Sequence, residues 1–277
     1  MKLFENIELI DLAIYTNKTL ILTDFHIGYE EALNKQGLMV PRFQFEEIMK
    51  KLDSIFKKLA NKKIEKIIVN GDLKHEFGTI SEQEWRNVLK LLDYLGQHCG
   101  EIILIKGNHD TILGPIARKR NVEVVGHYLI TPLIKKTLKN EKTMKKISIN
   151  NKTQKSIKIN NKNNSKNKIL VIHGDKIPNK KILEGVSTII IGHEHPAMPI
   201  RHGSRTELFK SYLIGKWKNK NIIAQPSFNL VTEGTDMLKE KILSPFLKGS
   251  LANFKYIIVA DKLYNFGKIK NLLSSKQ

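Results

Sequence analysis

Ile102-Ile103-Leu104-Ile105-Lys106-Gly107-Asn108-His109-Asp110 joins a short apolar run to three side chains that carry chemistry. The run is short and β-branched, so it reads as a buried strand, and its amide, imidazole and carboxylate sit at the strand's C-terminal end. In open α/β sheets, ligands bind in the crevice beyond such ends. Four more runs finish in the same way. Leu20-Ile21-Leu22 leads into Thr23-Asp24-Phe25-His26, Ile67-Ile68-Val69 into Asn70-Gly71-Asp72, Ile169-Leu170-Val171-Ile172 into His173-Gly174, and Ile189-Ile190-Ile191 into Gly192-His193-Glu194-His195. Strands that each deliver Asp, Asn or His can converge on one site with the ligand chemistry of a metal pair.

The elements between these strands fit a layered α/β fold. Residues 7–16 and 19–24 read as a pair of strands turning at Asn17-Lys18, followed by a loop through Gly37 to Pro41. Over 42–60, Phe45, Ile48, Leu52, Ile55, Phe56 and Leu59 recur at helical spacing. Ser81 with Glu84 makes a capping box that starts a second helix over 81–96. Residues 111–119 read as a short helix with Asp110 as its N-cap, and 122–130 as a strand. Strands are expected again at 206–215 and 221–225, as an antiparallel pair, and at 254–261. Alternating strands and helices imply a largely parallel sheet, here splitting into two layers with helices outside. No internal repeat is visible.

The 277 residues, 41% of them hydrophobic, suffice for one sizeable domain spanning 1–277. Cys99 is the only cysteine, which excludes an internal disulfide and a cysteine-built zinc cluster within the chain. The sequence shows no apolar stretch of signal-peptide or membrane-spanning length, so a soluble, cytoplasmic protein is expected. Its net charge of +20 is unevenly spread: Lys135 to Lys168 holds twelve lysines against the single Glu141, more than half of the excess. That Lys/Asn-rich stretch has little apolar surface to offset the entropy of ordering, and reads as a flexible insertion. Ile147/Ile149 and Ile157/Ile159 could pair as a marginal hairpin, and the stretch is either a solvated loop or a polyanion-binding arm. The basic remainder favours polyanions such as nucleic acid without specifying one.

Mixed carboxylate, amide and imidazole donors suit manganese, iron or zinc, with manganese the expected ion and magnesium a further alternative. One ion would take Asp24, His26 and His195, the other Asn108, His173 and His193, with Asp72 bridging. Two ions about 3.5–4 Å apart hold a hydroxide and clamp phosphoryl oxygens, which gives in-line attack on phosphorus. His109, pointing away from its neighbour Asn108, is the candidate donor to the leaving oxygen, with Asp72 or Asp24 fixing its tautomer. His75 and Glu76 are expected to line the cleft, His75 as a substrate contact or a support for a ligand. Arg42 could clamp a phosphate or be an exposed helix-start arginine. His98, His127 and His202 read as structural or solvated, and Trp85 and Trp217 as packing.

The order Asp-x-His, Gly-Asp, Gly-Asn-His-Asp, His-Gly and Gly-His-x-His, over about residues 19 to 196, resembles the calcineurin-like metallophosphoesterase superfamily. The resemblance implies a four-layer αββα sandwich with a dinuclear metal site, and the ligand and donor roles given above. Thr23-Asp24-Phe25-His26-Ile27-Gly28-Tyr29-Glu30, Gly71-Asp72-Leu73-Lys74-His75 and Gly192-His193-Glu194-His195-Pro196 are similar to the archaeal and bacterial ligase- or helicase-associated DNA-repair group. That similarity implies a nuclease with a helicase or ligase partner. The ligand pattern is complete; the main departure is the Lys/Asn insertion before His173.

Three functions follow as expectations: a metal-dependent phosphodiesterase or nuclease on DNA or RNA; a phosphatase or phosphodiesterase for small molecules such as cyclic nucleotides or dinucleotides; and a metal-bound scaffold without turnover. Salt dependence with DNA separates the first from the second, because phosphate contacts release counterions. The oligomeric state has no signature in the sequence.

Overall fold

The computed structural model describes residues 1–4, 6–78, 80–132 and 167–274. Of the Lys/Asn-rich stretch 135–168, only Asn167 and Lys168 fall among them, so the expected insertion and its hairpin lie outside the described residues. The fold is mixed α/β, built on two sheets.

The first sheet holds β1 (Glu8–Ile10), β2 (Ala13–Thr16), β3 (Thr19–Thr23), β4 (Lys66–Asn70), β5 (Glu101–Ile105) and β6 (Glu123–Val125) in that order. From β3 to β6 the strands are parallel. The expected strand 7–16 is two strands, because Asp11 takes a left-handed backbone and folds β1 back on β2. Three of the crossover helices are α2 (Gln44–Lys58), α3 (Glu82–Gly96) and α4 (Gly114–Arg120), preceded by the short α1 (Tyr29–Lys35) in what reads from sequence as a loop. Ile48, Leu52 and Ile55 of α2 and Val88, Leu91, Leu92 and Leu95 of α3 are buried in the core of this sheet.

The second sheet follows the order β13 (Thr235–Asp236), β10 (Pro196–His202), β11 (Arg205–Trp217), β12 (Lys220–Ala224), β9 (Val186–Ile191), β8 (Lys168–Ile172) and β7 (Tyr128–Ile130). Off this path β14 (Lys255–Val259) pairs with β11 and with β15 (Leu263–Lys268). The expected strand 122–130 is thus divided: β6 ends the first sheet and β7 edges the second, with Gly126-His127 between them.

Period-two alternation explains how the sheets stack. Ile169, Val171, Ile190, Tyr212, Ile214, Ile223 and Ile257 face the first sheet in one core, whereas Leu170, Ile172, Ile189, Ile191, Leu213, Ile222 and Ile258 face outward into a second. The outward core is covered by Met237, Phe246, Leu247 and Phe254 from irregular chain and by Ile269 from the short helix α5 (Ile269–Ser274). The fourth layer of the αββα stack is therefore thin and mostly non-helical. No helix among the described residues is long and apolar enough to cross a membrane.

Polar groups pin the sheets at named points. The fully buried Tyr212 hydroxyl lies 2.8 Å from the Asp11 carbonyl and 3.0 Å from that of Ala13, and the Gln225 amide donates to Leu12 and Ile21 carbonyls at 2.8 and 3.0 Å. Tyr212→Phe keeps the ring and removes the shared donor. It is expected to lower unfolding stability by about 1–2 kcal/mol without moving Mn²⁺ affinity, as read from urea melts and calorimetric titration.

Candidate metal centre

β3, β4, β5, β8 and β9 end at one edge of the two stacked sheets, and the turns that follow them carry the candidate residues. The turns are stitched by backbone hydrogen bonds. Asp24 N donates to Gly71 O (3.2 Å), His26 N to Asp72 O (2.9 Å), Ile27 N to Leu73 O (3.1 Å) and Gly192 N to His173 O (2.9 Å). Asn70 Nδ2 spans the sheets to Ile172 O at 3.1 Å. Asp24, His26, Asp72, His193 and His195 all hold left-handed backbone, with φ between 41° and 62°. Such conformations persist for non-glycine residues only where the surroundings over-determine them.

Two groups result. The donor atoms of Asp24, His26 and His195 lie within 4.8 Å of one another, and so do those of Asp72, His173 and His193. Asp72 Oδ2 faces both, 3.7 Å from His26 Nε2 and 3.4 Å from His173 Nε2, and Asn108 Oδ1 is 2.9 Å from His173 Nε2. The structure therefore brings together every ligand candidate named from sequence. Arg42 stays exposed ahead of α2, with its charge acting on Glu30.

The residues suit a divalent ion on physical grounds. Asp24 and Asp72 are almost fully buried, and buried carboxylates require compensating positive charge. Asp24 Oδ1 and His173 Nδ1 lie 3.4 Å apart, each buried without a hydrogen-bond partner among the described residues. Each carboxylate also has a glycine against it: a Cβ at Gly107 would overlap Asp72, and one at Gly192 would overlap Asp24 and Thr23.

The electrostatics follow. Burial alone would raise the Asp72 carboxyl, but hydrogen bonding and charge from His173 hold it well below the carboxylate range. Burial likewise opposes charge on His173, yet Asp72 and Asp24 raise it to about 9. Burial, then His195, pushes His26 well below the usual imidazole value. His75 is lowered to about 4 by burial and by His109. Its Nδ1 lies 3.2 Å from His26 Nδ1, so it supports the ring whose other nitrogen faces Asp72.

His109 is half-buried. Its backbone N–H donates to Asp72 Oδ1 at 2.8 Å, and its ring Nδ1 donates to His75 O at 2.6 Å. A carbonyl only accepts, so it fixes the proton on Nδ1 and leaves Nε2 for chemistry; the tautomer is set by this carbonyl and not by Asp72 or Asp24. The Phe77 ring packs against the His109 ring, 3.8 Å between centroids.

Asp110 is not a helix N-cap. Helix α4 starts at Gly114, and the Asp110 carboxylate accepts from Gly107 N (3.0 Å) and Leu73 N (3.1 Å) instead, tying the Asp72 turn to the Asn108 turn. Burial and the charge of Asp72 push its carboxyl up to about 7. Glu84 was legible as a capping residue, and it caps as expected. Its other oxygen also accepts from His75 N (3.1 Å) and Glu76 N (2.9 Å), which anchors the turn beside the histidines.

Comparisons with known proteins bear on the family and the fold. The family described as Calcineurin-like phosphoesterase matches residues 18–213. Among solved structures, the nuclease MPE of Pseudomonas putida is similar to this chain at 18% identity and a TM-score of 0.53, over 93% of each chain. A protein of unknown function, AQ665 from Aquifex aeolicus, is similar at 17% identity and a TM-score of 0.33, over 64% of this chain and 78% of that one. No curated protein matches the chain in sequence.

Asp110→Ala leaves buried N–H groups unpaired in both turns. It is expected to weaken Mn²⁺ binding by roughly 10–100-fold and to lower stability by about 2–4 kcal/mol. Titration calorimetry with unchanged affinity would remove Asp110 from the support of the site.

Proposed function

Since the chain belongs to the calcineurin-like phosphoesterase family, a family of metal-dependent hydrolases of ester bonds, we propose that it is a phosphodiesterase acting on nucleic acid. The observation that carries the reading is the convergence of Asp24, His26 and His195 with Asp72, His173 and His193 into two adjoining donor groups that share a face at Asp72. In this proposal the first group would hold one divalent ion and the second, with Asn108, another, with Asp72 available to both; manganese is the expected ion. When bound, such ions polarise a phosphoryl oxygen and acidify the attacking water.

The chain's own residues do the rest. Asp110 and Glu84 hold the turns at fixed spacing, so the donors need not reorganise when substrate arrives. His109 acts as an imidazolium: with Nδ1–H held by the His75 carbonyl, it gives its Nε2 proton to the leaving oxygen and is left as the neutral Nδ1–H ring. Nucleic acid as substrate is supported by the net charge of +20 and by the likeness to a protein described as a nuclease. The similarity to the ligase- and helicase-associated group makes DNA the first nucleic acid to try, and a helicase or ligase the first partner.

The test is hydrolysis of bis-p-nitrophenyl phosphate, p-nitrophenyl phosphate, single-stranded DNA and duplex DNA with Mn²⁺, with Mg²⁺ and with chelator. Metal-dependent cleavage of the diester and of DNA is expected. Turnover of the monoester alone would replace the proposal with a small-molecule phosphatase, and tight metal binding without turnover with a scaffold. His109→Ala is expected to keep bound metal while losing roughly 10²–10⁴-fold in kcat, and Asp72→Ala to lose both, as measured by metal stoichiometry beside steady-state rates.

A further inference from the structure

Phe77 is 59% exposed, although its ring lies 3.8 Å from that of His109 at an interplanar angle of 33°. The backbone on either side is tied down: Glu76 N donates to Glu84 Oε1 at 2.9 Å, and Gly78 N donates to Thr111 Oγ1 at 3.1 Å. A large apolar ring is thus held outward by an anchored turn, packed against an imidazole and still more than half exposed. A fold under no other demand would turn such a ring inward, since burial of apolar surface is favourable.

We propose that Phe77 is a specificity-determining residue whose outer face stacks the base of the leaving nucleoside. The inference rests on the phosphodiesterase reading above. With His109 Nδ1 committed to the His75 carbonyl, His109 acts on the leaving oxygen, so the ring packed against it lies on the leaving-group side. A nucleoside carries a planar base a few bonds from its bridging oxygen. Every base has a π-face, so one fixed aromatic ring can hold any of them without reading sequence. Phosphate contacts from the basic chain would attract the strand; Phe77 would place it. A leaving group without a planar ring gains nothing from this contact, which separates nucleotidyl diesters from simple alkyl phosphates.

The test is a cycle between protein and substrate. Two oligonucleotides, each with one cleavable phosphodiester among methylphosphonate linkages, differ in having either a normal or an abasic residue on the leaving side. On the intact strand with Mn²⁺, Phe77→Ala is expected to lose roughly tenfold in kcat/KM, while Phe77→Trp retains activity. On the abasic strand the loss should shrink to within roughly twofold. Equal losses on both strands would show that Phe77 only props His109, and no loss on either would show that it stacks nothing; both results overturn the inference. A second readout needs no turnover. 2-Aminopurine at the leaving-side position should be quenched on binding to the wild-type protein and not on binding to Phe77→Ala. Quenching without any cleavage would sink the phosphodiesterase reading and leave the stacking, whereas cleavage without quenching would do the reverse.

Discussion

Two carboxylates withdrawn from water set the terms for the rest of the molecule. Asp24 and Asp72 stand at the ends of the adjacent parallel strands β3 and β4, both almost fully buried. An isolated carboxylate in that position is unfavourable by several kcal/mol unless it is hydrogen-bonded and faces positive charge. The fold supplies both. Asp24 Oδ2 accepts from Thr23 Oγ1 at 2.8 Å and His193 N at 3.0 Å, and Asp72 Oδ1 accepts from His109 N at 2.8 Å. The remaining oxygens face imidazoles. Those imidazoles, His26 and His173, follow β3 and β8, one strand from each sheet, so the stacked sheets have to bring these strand ends together at this point.

That requirement explains features that look unfavourable when taken singly. Glycine is needed at positions 107 and 192 because a side chain would occupy the space of a carboxylate. Left-handed backbone at Asp24, His26, Asp72, His193 and His195 turns each side chain off the strand axis and back into the cleft. The buried Asp110 and Glu84 carry no reactive role. They consume backbone N–H groups of the turns and fix how far apart the donors stand. Stability is spent at the strand ends, and the two cores with their alternating isoleucines supply it.

The sequence was most informative where polar chemistry interrupts apolar runs. Strands β3, β4, β5, β8 and β9 and the residues after them could be read because a buried strand has one pattern and a ligand another. What could not be read depended on tertiary context. Helix α1 has Gly28 at its N-cap and no side-chain cap, so nothing local marks it. The segment 122–130 keeps a strand-like composition across Gly126, and only the stacking of the sheets divides it. Pro196 and Pro199 argue against a strand, yet β10 tolerates them because Pro196 is its first residue, ahead of the pairing with β11, and β13 does not reach Pro199. Asp110 precedes an apparent helix, and its use as a cross-brace depends on Leu73, distant in sequence. Phe77 has no motif at all; its signal is a large ring among polar turn residues.

The edge strand β7 runs antiparallel to its neighbour β8, with Ile130 opposite Ile169. The chain that leaves after β7 therefore returns beside its point of departure, at the start of β8. His173 follows the far end of β8, about 17 Å away at strand rise. The lysine-rich stretch is thus rooted on two neighbouring strands at the end of the second sheet opposite to the reactive one, so its points of attachment and the histidine occupy different ends of β8.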